Sequence, residues 1–484
     1  MIVHIDRASR VPLYEQIANQ LRTLILAQGL LPGSRLPSSR ELADTLSVNR
    51  KTVVQAYRML CAEGLVRGNG RGGTIVQAHG ASPEPGAAIR PVLWRRMYTD
   101  STKPLFMNSD RFYRHLVRKA PPSAGAAWGP WMRPHEQDSL SLLSDAWEDV
   151  LNETRVLGES RYSVRGYPPL REYVAKRANM NGMNVPADCT MITDNPAQTT
   201  FLLAMALLNR GDSVALEVPC LPTSIHVYDL LGIQIQQVPM DDQGIDLDVL
   251  EGLAKRSKVK LIHVSPTNRI PTGTSMSLQR RKDLVDLASR YRVPILEMPE
   301  YLTETYEGSP LPSLSALDDR FQTICGSTLE SELPMGLRIA WVVAPEHTIN
   351  ALVPIRQAIH PSTHPLVSML AYQVLTHPRF SLETIRLRAR DKRDHVVNLL
   401  ETHCAKSLVF KKPEGGMHIW AEVKEHVDLA SKLDALATLG GPCLPGHFYY
   451  PGMRGGDRNL CFGFSGYSPE YLSEAISSIG EILR

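Results

Sequence analysis

No stretch of this sequence stays apolar long enough to cross a bilayer, which takes about 20 residues, so no membrane span is expected. The opening residues, MIVHIDRASRVPLYEQ, lack the apolar core of a secretory signal. Cysteine is sparse and scattered: Cys61, Cys189, Cys220, Cys325, Cys404, Cys443 and Cys461 make seven, an odd number, with no C-x-x-C pair. That excludes a disulfide framework and a zinc ribbon and points to a reducing cytoplasm. Internal repeats and low-complexity tracts are missing too. What is present is ordinary for a globular chain, 43% hydrophobic and 21% charged, and 484 residues exceed what one core usually covers.

The overall net charge is only +3, but it is unevenly placed. Residues 1–77 hold ten Lys/Arg and five Asp/Glu, a net of +5, which leaves −2 for the rest. A small basic unit on a near-neutral body points to a polyanion partner for the N-terminal part. Within that unit Leu13, Ile17, Leu21, Leu24 and Ile25 recur at helical spacing, which predicts a helix over 13–28 that stops at Gly29 and Pro32-Gly33. Ser38 and Glu41 have capping-box spacing, so a second helix is expected from Ser39 to about Leu46. Asn49 can cap a third, with Val53, Tyr57 and Leu60 on one face. This is a helix-turn-helix pattern, in which the first turn of the second helix meets base edges. Arg50, Lys51 and Thr52 fall there, and Ser39 and Asn49 stand at the two helix starts. The segment LVRGNGRGGTIV (65–76) then reads as a hairpin with a glycine-rich tip carrying Arg71 and Gly72, laid along a groove as a wing.

Residues 12–76, and above all the block PGSRLPSSRELA (32–43), resemble the winged helix-turn-helix of the GntR family of bacterial transcription regulators. The resemblance implies DNA contacts by Arg35, Ser38, Arg40, Arg50, Thr52 and the wing glycine, Gly72. Ser47 and Asn49 stand where Gly and Ser are usual, substitutions confined to the turn and the cap. Boundaries follow: a DNA-binding domain over 1–78, a Pro-, Gly- and Ala-rich linker over 79–105, and a body over 106–484.

In the body, short apolar runs at 213–219, 260–266, 293–299, 322–327 and 337–345 alternate with helical segments. This predicts an α/β domain with a mostly parallel sheet, whose ligands sit beyond the carboxyl ends of the strands. The segments SRYSVRGYPPLREYVAKR (160–177), SPTNRIPTGTSMSLQRR (265–281), LPMGLRIAWVV (333–343) and KPEGGMHIWAEV (412–423) resemble fold-type I, pyridoxal-phosphate-dependent aminotransferases. The resemblance implies an α/β/α large domain and a smaller C-terminal α+β domain from about 370 to 484. A GntR-type head on such a body resembles the MocR subfamily of regulators, which implies a bacterial, cytoplasmic, nucleoid-associated homodimer. It also implies binding of operator DNA, of pyridoxal phosphate and of an amino-acid-like effector.

The sequence departs from that pattern where the cofactor chemistry lies. The Schiff-base lysine falls on Glu330 or Ser331, and no lysine occurs between Lys282 and Lys392. Met298 stands where an aspartate holds the pyridine nitrogen, and Glu300 where a tyrosine supports the ring hydroxyl. Leu221 replaces the stacking aromatic, and Cys461 the arginine that takes a substrate carboxylate. Ser327 and Arg338 match phosphate contacts, and Asn268 lies at a strand end among these positions. A pocket of Leu221, Asn268, Met298, Glu300, Ser327, Glu330, Arg338 and Cys461 is therefore expected to hold no covalent cofactor and to catalyse nothing. Pyridoxal phosphate remains implied by the resemblance alone. The expected function is a DNA-binding regulator with a non-catalytic effector-sensing and dimerising body. The alternative is an aminotransferase carrying a DNA-binding head.

Overall fold

The computed structural model describes residues 5–6, 11–26, 30, 32–68, 73–77, 137–154, 163–256, 258–299, 304–320, 322–333, 337–360, 364–439 and 442–484. Contacts divide the chain into two units, Met1–Met97 and Tyr98–Arg484. The expected linker over 79–105, the wing residues Arg71 and Gly72, and Glu300 all lie outside the described residues.

In the first unit, α1 (Leu13–Leu26), α2 (Ser39–Thr45) and α3 (Arg50–Ala62) precede a hairpin of β1 (Val66–Gly68) and β2 (Thr74–Val76). Ile17, Leu21, Leu42, Val53, Leu60, Val66 and Val76 meet in its core. Each apolar stripe expected from helical spacing faces that core. Ser38 caps α2 through the expected box: Glu41 N–H donates to Ser38 Oγ at 3.1 Å, and Ser38 N–H donates to Glu41 Oε2 at 3.3 Å. Asn49 Oδ1 accepts from Lys51 N–H at 2.9 Å and starts α3. Ser47 takes a left-handed φ of 50° in the turn between them, the conformation for which glycine is the default residue. Ser38→Ala should therefore lower the head's unfolding free energy by about 0.5–2 kcal/mol, measured by urea denaturation. An unchanged midpoint would show that the cap contributes nothing.

The described part of the second unit begins with α4 (Gln137–Thr154) and α5 (Pro168–Met180). Its large sheet then forms from β3 (Thr190–Thr193), β4 (Ser213–Glu217), β5 (Gln234–Val238), β8 (Leu261–Val264), β9 (Ile295–Glu297), β10 (Thr323–Thr328) and β11 (Ala340–Val343). A two-strand ribbon, β6 (Met240–Asp241) and β7 (Gly244–Ile245), interrupts the series. The helices between these strands are α6 (Pro196–Leu207), α7 (Pro222–Leu231), α8 (Leu247–Lys255), α9 (Leu278–Tyr291) and α10 (Leu314–Leu317). Strand order is β3-β11-β10-β9-β8-β4-β5. Pairing is parallel throughout except at β11, which runs against both β10 and β3. The inner strands are buried on both faces, which is why they read as continuous apolar runs.

Next come α11 (Glu346–Ile359), α12 (Pro365–Thr376) and α13 (Leu382–His403). Met369, Leu370, Ala371 and Val374 of α12 pack with Ala146 and Val150 of α4 and Leu170 and Val174 of α5, so α12 belongs to the large layer. The smaller sheet has the order β12-β13-β15-β14, from β12 (Leu408–Phe410), β13 (His418–Val423), β14 (Cys443–Pro445) and β15 (Asn459–Gly463). It is antiparallel throughout, and α14 (Leu429–Thr438) and α15 (Pro469–Ile482) accompany it. Val396 and Leu400 of α13 and Leu472, Ile476 and Ile479 of α15 fill its core. Residues 304–307 join the two layers. Tyr306 Oη donates to Gly416 O at 2.6 Å, and Gly416 N–H donates to Glu304 O at 2.9 Å. Arg393 of α13 grips both Glu307 oxygens at 2.7 Å and lies 4.7 Å from the Tyr306 ring centre. Among the described residues, no helix is long and apolar enough to cross a membrane.

Candidate nucleic-acid interface and degenerate cofactor site

The head brings together most of the residues expected to meet DNA. Arg35, Ser38, Arg40, Asn49, Arg50 and Lys51 are exposed, and Ser39 and Thr52 are half-buried. The first turns of α2 and α3 are joined by a hydrogen bond from Arg50 Nε to Ser39 Oγ at 3.2 Å. Tyr57 Oη donates to Pro37 O at 2.8 Å and fixes the start of α2 against α3. Arg35 lies beside the hairpin: Leu36 N–H donates to Thr74 O at 2.9 Å, and the Arg35 guanidinium packs where a side chain on Gly73 would stand. Gly73 has φ of 86°, which disfavours any side chain there, and one would also have to displace the Arg35 guanidinium. Two helix starts and the wing base thus place Arg35, Arg40, Arg50 and Lys51 at the surface, the charge pattern a phosphate backbone attracts.

Ser39 escaped the expectation in one respect: it positions Arg50 as well as standing at a helix start. Ser39→Ala should weaken operator binding several-fold, the size of one hydrogen bond, without changing the salt dependence, because no charge is lost. Titration at two salt concentrations checks this, and a changed slope would assign Ser39 a different role.

At the carboxyl end of the large sheet, the expected pocket residues divide between two cores, with Met298 and Ser327 side by side and Leu221 and Cys461 apart from them. Met298 is 2% exposed and lies in the apolar core with Leu202, Leu216, Leu296 and Ile324. Ser327 is buried and donates its hydroxyl to Pro299 O. Glu330 lies 3.7 Å from Arg338 as an ion pair, both partly exposed. Burial pushes the Glu330 carboxyl above the ordinary range, and Arg338 opposes that rise. Asn268 has φ of 47° and donates to Thr305 Oγ1 at 3.1 Å. Leu221 and Cys461 pack with the core of the smaller sheet rather than with Met298. Cys461 sits on β15 between Trp420 and Leu444, and burial pushes its thiol far up. Neighbouring Ser331 is buried, and Glu332 is held by Arg177, one prong at 2.7 Å. Glu297, at the end of β9, accepts from Leu314 N–H at 3.0 Å and Ser315 N–H at 3.1 Å and so anchors α10. A cleft of about 510 Å³ lies elsewhere, lined by Glu172, Lys176, Asn179, Met180 and Val185.

Sequence reasoning missed the start of α6. Asp194 and Asn195, just after β3, link to Gln198 and to Arg356 of α11. The signal was the Asn-Pro pair at 195–196, which marks a capped helix start.

A doubly covered sheet with one reversed strand, carrying a smaller antiparallel sheet, defines a fold-type I transferase-like body, and the first unit is a winged helix-turn-helix. The family model "Aminotransferase class I and II" matches residues 159–476, and "Bacterial regulatory proteins, gntR family" matches residues 13–76. The chain belongs to the aminotransferase class I and II family and carries a GntR-type head, the arrangement of the MocR subfamily. It is 26% identical to the uncharacterized HTH-type transcriptional regulator YisV of Bacillus subtilis, over 99% of this chain and 97% of that one. It is 24% identical to the HTH-type transcriptional regulator NorG of Staphylococcus aureus, over 92% of this chain and 98% of that one. In fold it is similar to LysN, the alpha-aminoadipate aminotransferase of Thermus thermophilus, solved with N-(5'-phosphopyridoxyl)-L-leucine. The TM-score is 0.70 at 23% identity, covering 81% of this chain and 98% of that one.

Proposed function

We propose that this chain is a DNA-binding transcription regulator whose aminotransferase-like body assembles and senses but does not transaminate. The observation that carries the DNA-binding part is the pair of exposed helix starts joined through Arg50 and Ser39. Arg50, Lys51 and Thr52 then read or grip the duplex, with Arg35, Ser38, Arg40 and Asn49 supporting them. Arg71 and Gly72 extend the contact along the groove.

The body's residues do not fit a Schiff-base cofactor. Imine formation needs an amine, and the corresponding position is Glu330, paired with Arg338, or buried Ser331. A protonated ring nitrogen needs a carboxylate, and Met298 offers an apolar thioether instead. The body's roles are then dimerisation, which sets two heads against two half-sites, and response to an amino-acid-like effector in the cytoplasm. The fold similarity to a transaminating enzyme favours a second reading, an active aminotransferase with a DNA-binding head. Incubating the full chain with pyridoxal phosphate, reducing with borohydride and weighing the product separates the two. The expected result is an unmodified mass; a trapped lysine adduct establishes the second reading.

A further inference from the structure

A phosphate-bearing ligand at this end of the sheet would be favoured by a helix start with unoccupied N–H groups, where the dipole also favours negative charge. α6 has twelve residues and begins directly beyond β3, and several groups at its start are committed internally. Pro196 in the first turn has no N–H. Gln198 N–H donates to Asn195 Oδ1 at 2.9 Å, and Asp194 N–H donates to Gln198 Oε1 at 2.9 Å. The anion at this helix start is Asp194 itself. Its carboxylate accepts from Gln198 Nε2 at 2.7 Å and lies 3.5 Å from Arg356 Nη2, whose side chain is 1% exposed. Arg356 in turn donates to Ile192 O at 2.9 Å and Gln198 Oε1 at 3.0 Å.

The neighbouring space is closed in the same way. An added Cβ on Gly326 would lie 2.5 Å from Met298 Sδ and 3.1 Å from Thr199 Cγ2, so Met298 and the first turns of α6 meet over that glycine. Ser327, next along β10, spends its hydroxyl on Pro299 O. Further out, Arg338 is paired with Glu330.

We infer that this chain's own side chains close this end of the sheet to a phosphate ester: Asp194 supplies the anion at the start of α6, Met298 fills the space over Gly326, and Glu330 pairs with Arg338. The body therefore takes up neither pyridoxal phosphate nor inorganic phosphate there, covalently or otherwise, and any effector using that end of the sheet is not a phosphate ester. This rests on the assignment of Met298 and Glu330 to cofactor positions under the proposed function, and extends it from loss of the imine to loss of the anion site.

The full-length chain, titrated separately with pyridoxal phosphate and inorganic phosphate, tests it by thermal midpoint and equilibrium dialysis. The wild type is expected to show no midpoint shift and no retained ligand at millimolar concentrations. The variant Asp194→Ser/Asn195→Gly/Pro196→Ser returns N–H donors to the helix start and leaves Arg356 without its carboxylate. Its midpoint should rise by several degrees with phosphate. Asp194→Asn, which keeps a polar group against Gln198 and Arg356, serves if the triple variant does not fold, and should gain a smaller rise. Wild-type retention of either ligand without a borohydride-trapped adduct overturns this inference and leaves the regulator reading standing. A trapped adduct overturns both. Folded variants as indifferent to phosphate as the wild type would show that these residues are not what closes the site.

Discussion

Arg50→Ala should reduce operator affinity by about 1–3 kcal/mol for each head that binds. For a dimer engaging two half-sites the loss is about 2–6 kcal/mol, or from roughly 30-fold to roughly 10⁴-fold. The reason is local. Arg50 occupies the first residue of α3, it is exposed, and its Nε is held by Ser39, so the outer guanidinium nitrogens are presented without a further ordering cost. Fluorescence anisotropy against the natural operator and a scrambled duplex gives the measurement. A loss confined to the operator identifies a base contact. A uniform loss with a salt slope reduced by about one per head identifies a phosphate contact. An unchanged affinity on both duplexes would remove α3 from the DNA-reading role.

The second large effect lies in the body. Glu217, at the end of β4, and Arg269, in the loop after β8, are each 2% exposed and paired at 3.1 Å. Ser265 N–H also donates to Glu217. Arg269→Met leaves that carboxylate buried without its counter-charge, which costs about 3–5 kcal/mol of stability. Adding Glu217→Leu should recover much of the loss, because replacing both partners of a buried pair is far milder than removing one. The pH dependence has a definite sign. Burial holds the Glu217 carboxyl above its ordinary range while Arg269 opposes the rise, so removing Arg269 raises it further. A raised carboxyl stabilises the folded state at low pH and loses that contribution as pH climbs through the folded-state value. The single variant should therefore lie closest to the wild type near pH 5 and fall furthest behind near pH 8. Urea denaturation at the two pH values checks it; a deficit that grows on acidification would reverse the assignment.

The head was legible in the sequence almost residue by residue, because its signals are local. Ser38 with Glu41 and Asn49 before Arg50 each announce a cap within four residues, and β-prone runs on either side of a glycine-rich stretch announce the pairing of 66–68 with 74–76. The body's inner strands were legible for a different reason: burial on both faces makes Leu261–Val264 and Thr323–Thr328 read as unbroken apolar runs. Two strands carry no such mark. Gln234–Val238 lies at the sheet edge with Gln234 and Gln237 exposed, and Thr190–Thr193 is four residues bounded by threonines. The reversal of β11 could not be read either, since strand direction is set by pairing across the chain and not by local spacing.

The candidate site was legible as a set of substitutions but not as a place. Met298, Glu330 and Leu221 could be named from their flanking motifs. What the sequence withheld was that Leu221 and Cys461 face the smaller sheet's core while Met298 faces the larger one. It also withheld Asp194, whose significance depends on Arg356, 162 positions away along the chain and 3.5 Å away in space. Long-range partners of this kind have no periodicity to reveal them.

The brace at 304–307 bears on how a signal could travel. Arg393 holds Glu307 with two prongs and rests on the Tyr306 ring, while Tyr306 and Glu304 are tied to Gly416. Moving one layer against the other would therefore have to break the Arg393–Glu307 pair and the Tyr306–Gly416 hydrogen bond, so any hinge closure of the kind many enzymes use would be opposed at this seam.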